Sequence, residues 1–251
     1  MHILDEYPKI GGTKYCCGAY VKSFGEREIK IKGKNLLNQF LSLGIEKIII
    51  FCPGCLRMME MYSNLIPEFK EKIEIQTFSN YLIQKIENGD IFFKHKIDKN
   101  ITFHDPCSWR NLSQIIFEGP RKLLNLLGAH VVEMEHNYKK TLCCGSPLLS
   151  SSEDYFNKVS GLRISEAQKA GADYIAVSCT GCLALAKPAQ RENIEVYHIL
   201  ELVKKAFGDK IPHKIIEKSE KFNKEVKKIL NKNPKIIAKR SIIRDGKLQN
   251  I

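Results

Sequence analysis

The stretch Thr141–Pro147, TLCCGSP, sets two cysteines side by side at Cys143 and Cys144, with Gly145 directly behind them. Residues Lys14–Tyr20, KYCCGAY, repeat the arrangement with Cys16, Cys17 and Gly18. Laying one stretch over the other fixes an offset of 127. That offset also carries Cys52 onto Cys179, Cys55 onto Cys182 and Gly44 onto Gly171 without a gap. The text between agrees: LGIEKIIIFCPGC, residues 43–55, lies over AGADYIAVSCTGC, residues 170–182. Four cysteines matching at one constant spacing read as a tandem duplication.

Each half then follows the same grammar. A helix is expected after the paired cysteines, over Lys34–Leu43 in the first half and Tyr155–Ala170 in the second. A short apolar run follows, KIIIF or YIAVS, of the kind that suits a parallel strand buried on both faces. C-x-x-C comes next and opens another helix, and a further strand and helix complete the unit (IEIQTFSNYLIQKI, IEVYHILELVKKA). The second half has an earlier unit as well: strand ITFHDPC into Cys107, helix PRKLLNLLG, strand AHVVEME. Strands alternating with helices predict an open α/β sheet with right-handed crossovers. On such a sheet Cys107, Cys143–Cys144 and Cys179–Cys182 all follow strands, so their loops share the carboxyl edge where ligands collect.

The chemistry of the set narrows the choice. The second half offers five thiols, Cys107, Cys143, Cys144, Cys179 and Cys182. Structural zinc takes four ligands, and so do ordinary cubane clusters. Five thiolates with an adjacent pair suit a larger iron–sulfur centre, where neighbours bind different irons. A lone cysteine is most often a small buried hydrophobe, but that account explains five at repeated spacing poorly. Helix starts after C-x-x-C add free N–H groups that favour thiolate.

The pattern C-x35-CCG-x33-C-x-x-C, entered through FHDPC, resembles the cysteine-rich CCG domain. That family includes catalytic subunits of heterodisulfide reductases. It also includes iron–sulfur subunits of glycolate, lactate, glycerol-3-phosphate and succinate dehydrogenases. The resemblance covers roughly residues 1–205. It implies two tandem CCG domains, at 1–95 and 98–207, each a small, mostly parallel α/β sheet with flanking helices. A basic, helical or disordered tail would follow at 208–251. It also implies a noncubane [4Fe-4S] cluster held by Cys107, Cys143, Cys144, Cys179 and Cys182, and reduction of a disulfide substrate there. The first half supplies only Cys16, Cys17, Cys52 and Cys55, for a second iron–sulfur cluster or zinc. The counterpart of Cys107 would fall about 20 residues before Met1, so a strand ending in cysteine is expected to be encoded upstream. No ferredoxin-type C-x2-C-x2-C-x3-C-P run occurs, which implies a separate ferredoxin-like or flavin-containing electron donor. The alternatives are an electron-transfer subunit of a flavin dehydrogenase and a zinc-holding structural module.

Composition limits the rest. The chain has 251 residues and no long apolar run, so no membrane span is expected. Its start lacks a secretory pattern, which points to the cytoplasm, where thiols stay reduced. Of the net charge of +12, residues 204–251 carry 15 basic and 5 acidic groups, a net of +10. That tail reads as a solvated segment or as a dock for an acidic partner subunit. Nucleic acid is not expected, since Phe222 is the only aromatic between Lys210 and Ile251 for stacking. Beside the ligands, His104 is the candidate catalytic group, as hydrogen-bond donor to sulfur or acid to a leaving thiolate, with a capping or turn role as the equal alternative. Asp105 reads as a turn residue and Trp109 as an apolar shield. Arg110, Lys140 and Arg163 are candidates to offset the negative charge of five thiolates and sulfides, though each taken singly reads as a solvated surface cation; Met58, Met59 and Met61 read as core.

Overall fold

The computed structural model describes residues 9–10, 14–19, 21–150 and 152–210, with 217, 221, 225, 228, 241–244 and 247–250 of the tail. The first half runs α1 (Glu26–Ser42), β1 (Lys47–Ile50), α2 (Pro53–Leu65), α3 (Pro67–Lys72), β2 (Glu74–Thr77) and α4 (Phe78–Glu87). The second half opens with β3 (Asn100–His104), α5 (Ile115–Leu126) and β4 (His130–Val131). It continues through α6 (Glu153–Lys169), β5 (Tyr174–Val177), α7 (Ala186–Gln190), β6 (Glu195–His198) and α8 (Ile199–Ala206).

The duplication is visible in the element bounds. Subtracting 127 from α6 and β5 gives the bounds of α1 and β1 without remainder. The register ends after C-x-x-C, because β6 starts 121 residues after β2 rather than 127. The lost residues come from the helix that follows. In the first half C-x-x-C opens the 13-residue α2, whereas in the second it opens a 3-10 segment, Thr180–Leu185, before the short α7. Pro188 has no N–H to give an i→i−4 bond, which breaks a continuous α-helix there. The expected helix at Pro120 starts earlier, at Ile115, and contains that proline.

All sheet pairs in the two halves are parallel. The second-half sheet has the order β4-β3-β5-β6. Chain order reverses between β3 and β5, so the crevice beyond their carboxyl ends is a topological switch point. His104 ends β3 opposite Val177 at the end of β5. Strands β3, β5 and β6 are largely buried, as their apolar runs require.

Strand β1 departs from that expectation, being only half-buried. Among the described residues it pairs with β2 alone. Its other side opens into a cleft of about 820 Å³, lined by Ile48, Ile49, Phe51 and Tyr81 and reaching Cys17 and Cys55.

The halves do not stand apart. Leu56, Phe78, Tyr81 and Leu82 of the first pack in one apolar cluster with Phe103, Trp109, Phe117 and Tyr197 of the second. Met58 and Met59 are core, as expected. The tail adds a feature the sequence does not foretell: β7 (Ser241–Arg244) and β8 (Lys247–Asn250) form an antiparallel hairpin rather than continued helix or coil. Most of its basic stretch lies outside the described residues. No helix among the described residues is long and apolar enough to cross a membrane.

Candidate metal centres

Three loops carry the second-half thiols to one place. Cys107 starts a 3-10 turn right after β3 and Pro106. Cys143 and Cys144 precede Gly145, whose φ of 81° is open to glycine at little cost. A Cβ there would also crowd Phe156 and Val159 at 3.3 Å, so a side chain is disfavoured on both counts. Cys179 and Cys182 follow β5, with Cys182 N–H donating to the Cys179 carbonyl at 2.9 Å. Gly181 lies close under Ser146, which brings the two glycine turns together.

The thiols form one hydrogen-bonded run, Cys107–Cys143–Cys144–Cys182–Cys179. Negative charge gathers at two of them. Thiol donors from Cys107 and Cys144, helped by Gly145 N–H, pull Cys143 down to about 2. Cys182 as donor, with the N–H groups of Cys182 and Gly181, lowers Cys179 to about 6. Their neighbours answer in the opposite direction: Cys144 rises to about 11 beside Cys143, and Cys107 and Cys182 rise further. Five sulfurs sharing too few protons is the state a soft metal centre replaces.

Around this run lie buried polar groups. A ring nitrogen of His104 and the Sγ atoms of Cys144 and Cys182 lie within 4.8 Å of one another. His104 is 1% exposed, and burial, then Arg163, lowers its pKa to about 3. Its Nδ1 accepts from Arg163 Nε at 3.3 Å, so the neutral ring carries its proton on Nε2. That Nε2 has no partner among the described residues. Arg163 is 0% exposed, which corrects its reading as a solvated cation. Burial lowers its pKa, while Glu166, paired through Nη1, counters that and keeps it charged.

Asp105 is likewise more than a turn residue. It is fully buried and accepts both Nη atoms of Arg121 at 2.8 Å, and Tyr138 N–H at 2.7 Å. Arg121 also pairs with Glu133. The Asp105 carbonyl accepts from Thr141, so the Cys107 loop and the segment before Cys143 are tied through one residue. Arg110 donates to the Thr141 carbonyl and adds to that tie. Trp109 is buried against Phe103 and Phe117.

The first-half thiols converge in the same way. Cys17, Cys52 and Cys55 share thiol hydrogen bonds, and Cys16 donates to Cys17. Gly18 repeats Gly145 with φ 72°, and its N–H meets Cys16 Sγ at 3.5 Å, as Gly145 N–H meets Cys143 Sγ at 3.4 Å. Tyr62 donates to the Cys17 carbonyl at 2.6 Å. Burial aside, thiol and N–H donors lower Cys17 to about 7 and Cys52 to about 5, with Cys55 raised between them.

The two centres are neighbours. The charge of Cys52 acts on Cys179, and a void of about 20 Å³ between the halves touches Cys52, Trp109, Ser178 and His198. Arg57, just after Cys55, donates to the Ser108 carbonyl beside Cys107 at 3.1 Å.

A consequence is readable in metal-free protein. Cys52 is exposed, and its donors hold it as thiolate down to about pH 5. Iodoacetamide at pH 6 is expected to alkylate Cys52 before any other cysteine, by peptide mass spectrometry. Its rate should fall only below about pH 5, where an ordinary thiol has already lost most of its reactivity. A Cys52 rate that climbs steadily from pH 6 to 9 contradicts the assignment.

The profile of the CCG cysteine-rich domain matches residues 5–60 and 101–185, more than half of the chain. The chain belongs to the CCG family. Among curated relatives, it is 26% identical over 215 residues to a subunit of the dihydromethanophenazine:CoB–CoM heterodisulfide reductase of Methanosarcina acetivorans. That alignment covers 81% of this chain and 52% of the relative. It is 25% identical over 176 residues to the probable iron-sulfur-binding oxidoreductase FadF of Bacillus subtilis, covering 66% and 24%. To a subunit of the fumarate reductase (CoM/CoB) of Methanothermobacter marburgensis it is 27% identical over 201 residues, covering 77% and 39%. The chain spans about half the length of the heterodisulfide reductase subunits it matches.

Within the CCG fold, sequence reasoning gathered all nine cysteines and His104, and missed the Arg163–Glu166 and Arg121–Asp105–Glu133 networks. One signal for the first was present. The 127 offset lays Arg163 over Leu36, on the apolar face of α1 that reads Ile29, Leu36, Leu37, Phe40.

Proposed function

We propose that the chain is an iron–sulfur subunit of an oxidoreductase of the heterodisulfide reductase kind. In this reading Cys107, Cys143, Cys144, Cys179 and Cys182 hold a noncubane [4Fe-4S] cluster, and a disulfide is the substrate. The observation that carries it is the single run of five sulfurs at the switch point of a CCG fold, with the adjacent pair inside the run. Two buried donors without partners among the described residues, His104 Nε2 and Arg163 Nη2, belong to side chains beside that run, which suits an anionic sulfur centre.

When bound, the cluster supplies soft-metal redox chemistry, one electron at a time. The protein's part is more specific. Cys107 is exposed and marks the side open to substrate, while Cys144 and Cys182 are buried. Gly145 and Gly181 bring N–H groups to sulfur without a side chain between. His104 donates a hydrogen bond from Nε2 to a sulfur atom rather than meeting solvent. Cleavage of one disulfide takes two electrons and two protons and gives two thiols. A ferredoxin-like or flavin-containing partner subunit supplies the electrons.

The first-half set, Cys16, Cys17, Cys52 and Cys55, holds a second iron–sulfur cluster or zinc. Units at 1–95 and 98–207, with a basic tail at 208–251 that docks a partner, and a cytoplasmic setting complete the proposal. A second reading, electron transfer inside a flavin-linked dehydrogenase, draws on relatives named as FadF and as a fumarate reductase subunit.

Anaerobic purification tests both. About four or more iron atoms per chain with matching labile sulfide are expected. Stoichiometric zinc with no iron would establish a structural module instead. Turnover of disulfides with a reduced viologen separates the two redox readings, because an electron-transfer subunit leaves them intact.

A further inference from the structure

The duplication makes each half a control for the other. Helices α6 and α1 match residue for residue over 17 positions. On them Arg163 stands where Leu36 stands, and both are 0% exposed. Glu166 likewise stands over Gln39. One half therefore buries an aliphatic side chain where the other buries a guanidinium and its carboxylate.

The arginine is not placed there for its own pairing. Nη1 donates to the His136 carbonyl at 2.8 Å and to Glu166, and Nε to His104. Nη2 is buried with no partner among the described residues, and so is His104 Nε2. A buried donor left unsatisfied is costly, and a charged one more so. Both orphan donors belong to one side-chain pair. The His104 ring lies within 4.8 Å of Cys144 and Cys182, and the Arg163 charge acts on those same two thiols. At the first centre the matching positions, Leu36 and Gln39, carry no charge.

We infer that Arg163 and His104 are positioning residues of the second sulfur centre: their free N–H groups donate to its thiolate or sulfide atoms, and the fixed charge of Arg163 makes that centre easier to reduce. The inference rests on the second centre holding an iron–sulfur cluster. Adding an electron to a buried anionic centre adds negative charge in a medium of low dielectric. A guanidinium held nearby, and N–H groups already pointed at sulfur, favour the reduced form without reorganising. Glu166 keeps Arg163 in its rotamer, and His136 Nδ1, 2.6 Å from the second Glu166 oxygen, fixes Glu166 in turn. Leu36 offers the first centre nothing equivalent.

Three variants of the holoprotein test this: Arg163→Leu, which copies the repeat, Arg163→Lys, and His104→Phe. Each is purified anaerobically, assayed for iron, and titrated for midpoint potential by its visible and electron paramagnetic resonance spectra. Expected is retained iron with a lower potential in Arg163→Leu, equal to roughly a tenfold or larger loss of reduced centre at fixed ambient potential. His104→Phe should shift the same way by less, and Arg163→Lys should recover most of the loss. Unchanged potentials with iron retained overturn the inference and leave the cluster reading standing. Loss of iron from all three also overturns it, since the pair would then serve assembly alone. Wild-type protein without iron defeats the cluster reading itself.

Discussion

Replacing Cys144 by serine is expected to remove the iron of the second centre and leave the first centre loaded. Cys144 sits in the middle of the sulfur run, between Cys143 and Cys182, and is buried. A hydroxyl is a hard, mostly protonated donor and substitutes poorly for a soft thiolate on iron. Its shorter bond also withdraws the ligand from its neighbours. Cys144 also belongs to one apolar cluster with Met134, Ile175 and Val177, which disfavours water as a replacement ligand. Metal-free Cys144→Ser should still fold, since the sheet beneath it does not depend on the thiol. Cys52→Ser is the matched control: it lies in the other run and should spare the second centre's iron and spectrum. Iron and labile sulfide per chain, with the visible spectrum of each variant, decide the matter. Full iron in Cys144→Ser would falsify the five-sulfur assignment.

Arg121→Leu is expected to cost about 3–5 kcal/mol of stability, because it leaves a fully buried carboxylate without its cation. Asp105 accepts two guanidinium bonds at 2.8 Å, and Glu133 takes two more at 2.6 and 2.9 Å. Burial works against the arginine's charge, but the two carboxylates outweigh it and hold its pKa above the ordinary value. The guanidinium also lies 3.9 Å from the Tyr138 ring centre. Urea denaturation of the metal-free protein measures the loss. The double variant Arg121→Leu, Asp105→Asn should recover part of it, since a neutral amide is cheaper to bury than an unpaired charge. Equal loss in single and double variants would show that packing, not charge, sets the cost. Because Asp105 lies two residues before Cys107, Arg121→Leu should also weaken iron retention while leaving every ligand in place.

The sequence by itself determined the repeat, and through it most of the site. A gapless offset of 127 pairs the cysteines and the strands β1 and β5 from the letters alone, because covalent spacing is preserved when a unit is copied, whereas α1 begins at Glu26 rather than the expected Lys34 and only then matches α6. Strand-then-cysteine order put three loops on one edge, because parallel strands all end on the same side of a sheet. Tertiary structure decided what periodicity does not encode. It made β1 half-exposed although its apolar run resembles that of β5, because burial of a strand depends on which neighbours cover it, not on its own residues. It broke the helix after Cys182 where Pro188 withholds a donor. It also buried Arg121, along with Arg163 and Asp105, which a sequence reading assigns to solvent and to a turn. A charge enters a core only when its partners arrive from other elements. Those partners are 16 residues away for Arg121 and Asp105, and 59 for Arg163 and His104. Such distances along the chain carry no periodic signal, so the polar frame around the sulfur run exists only once the fold has closed.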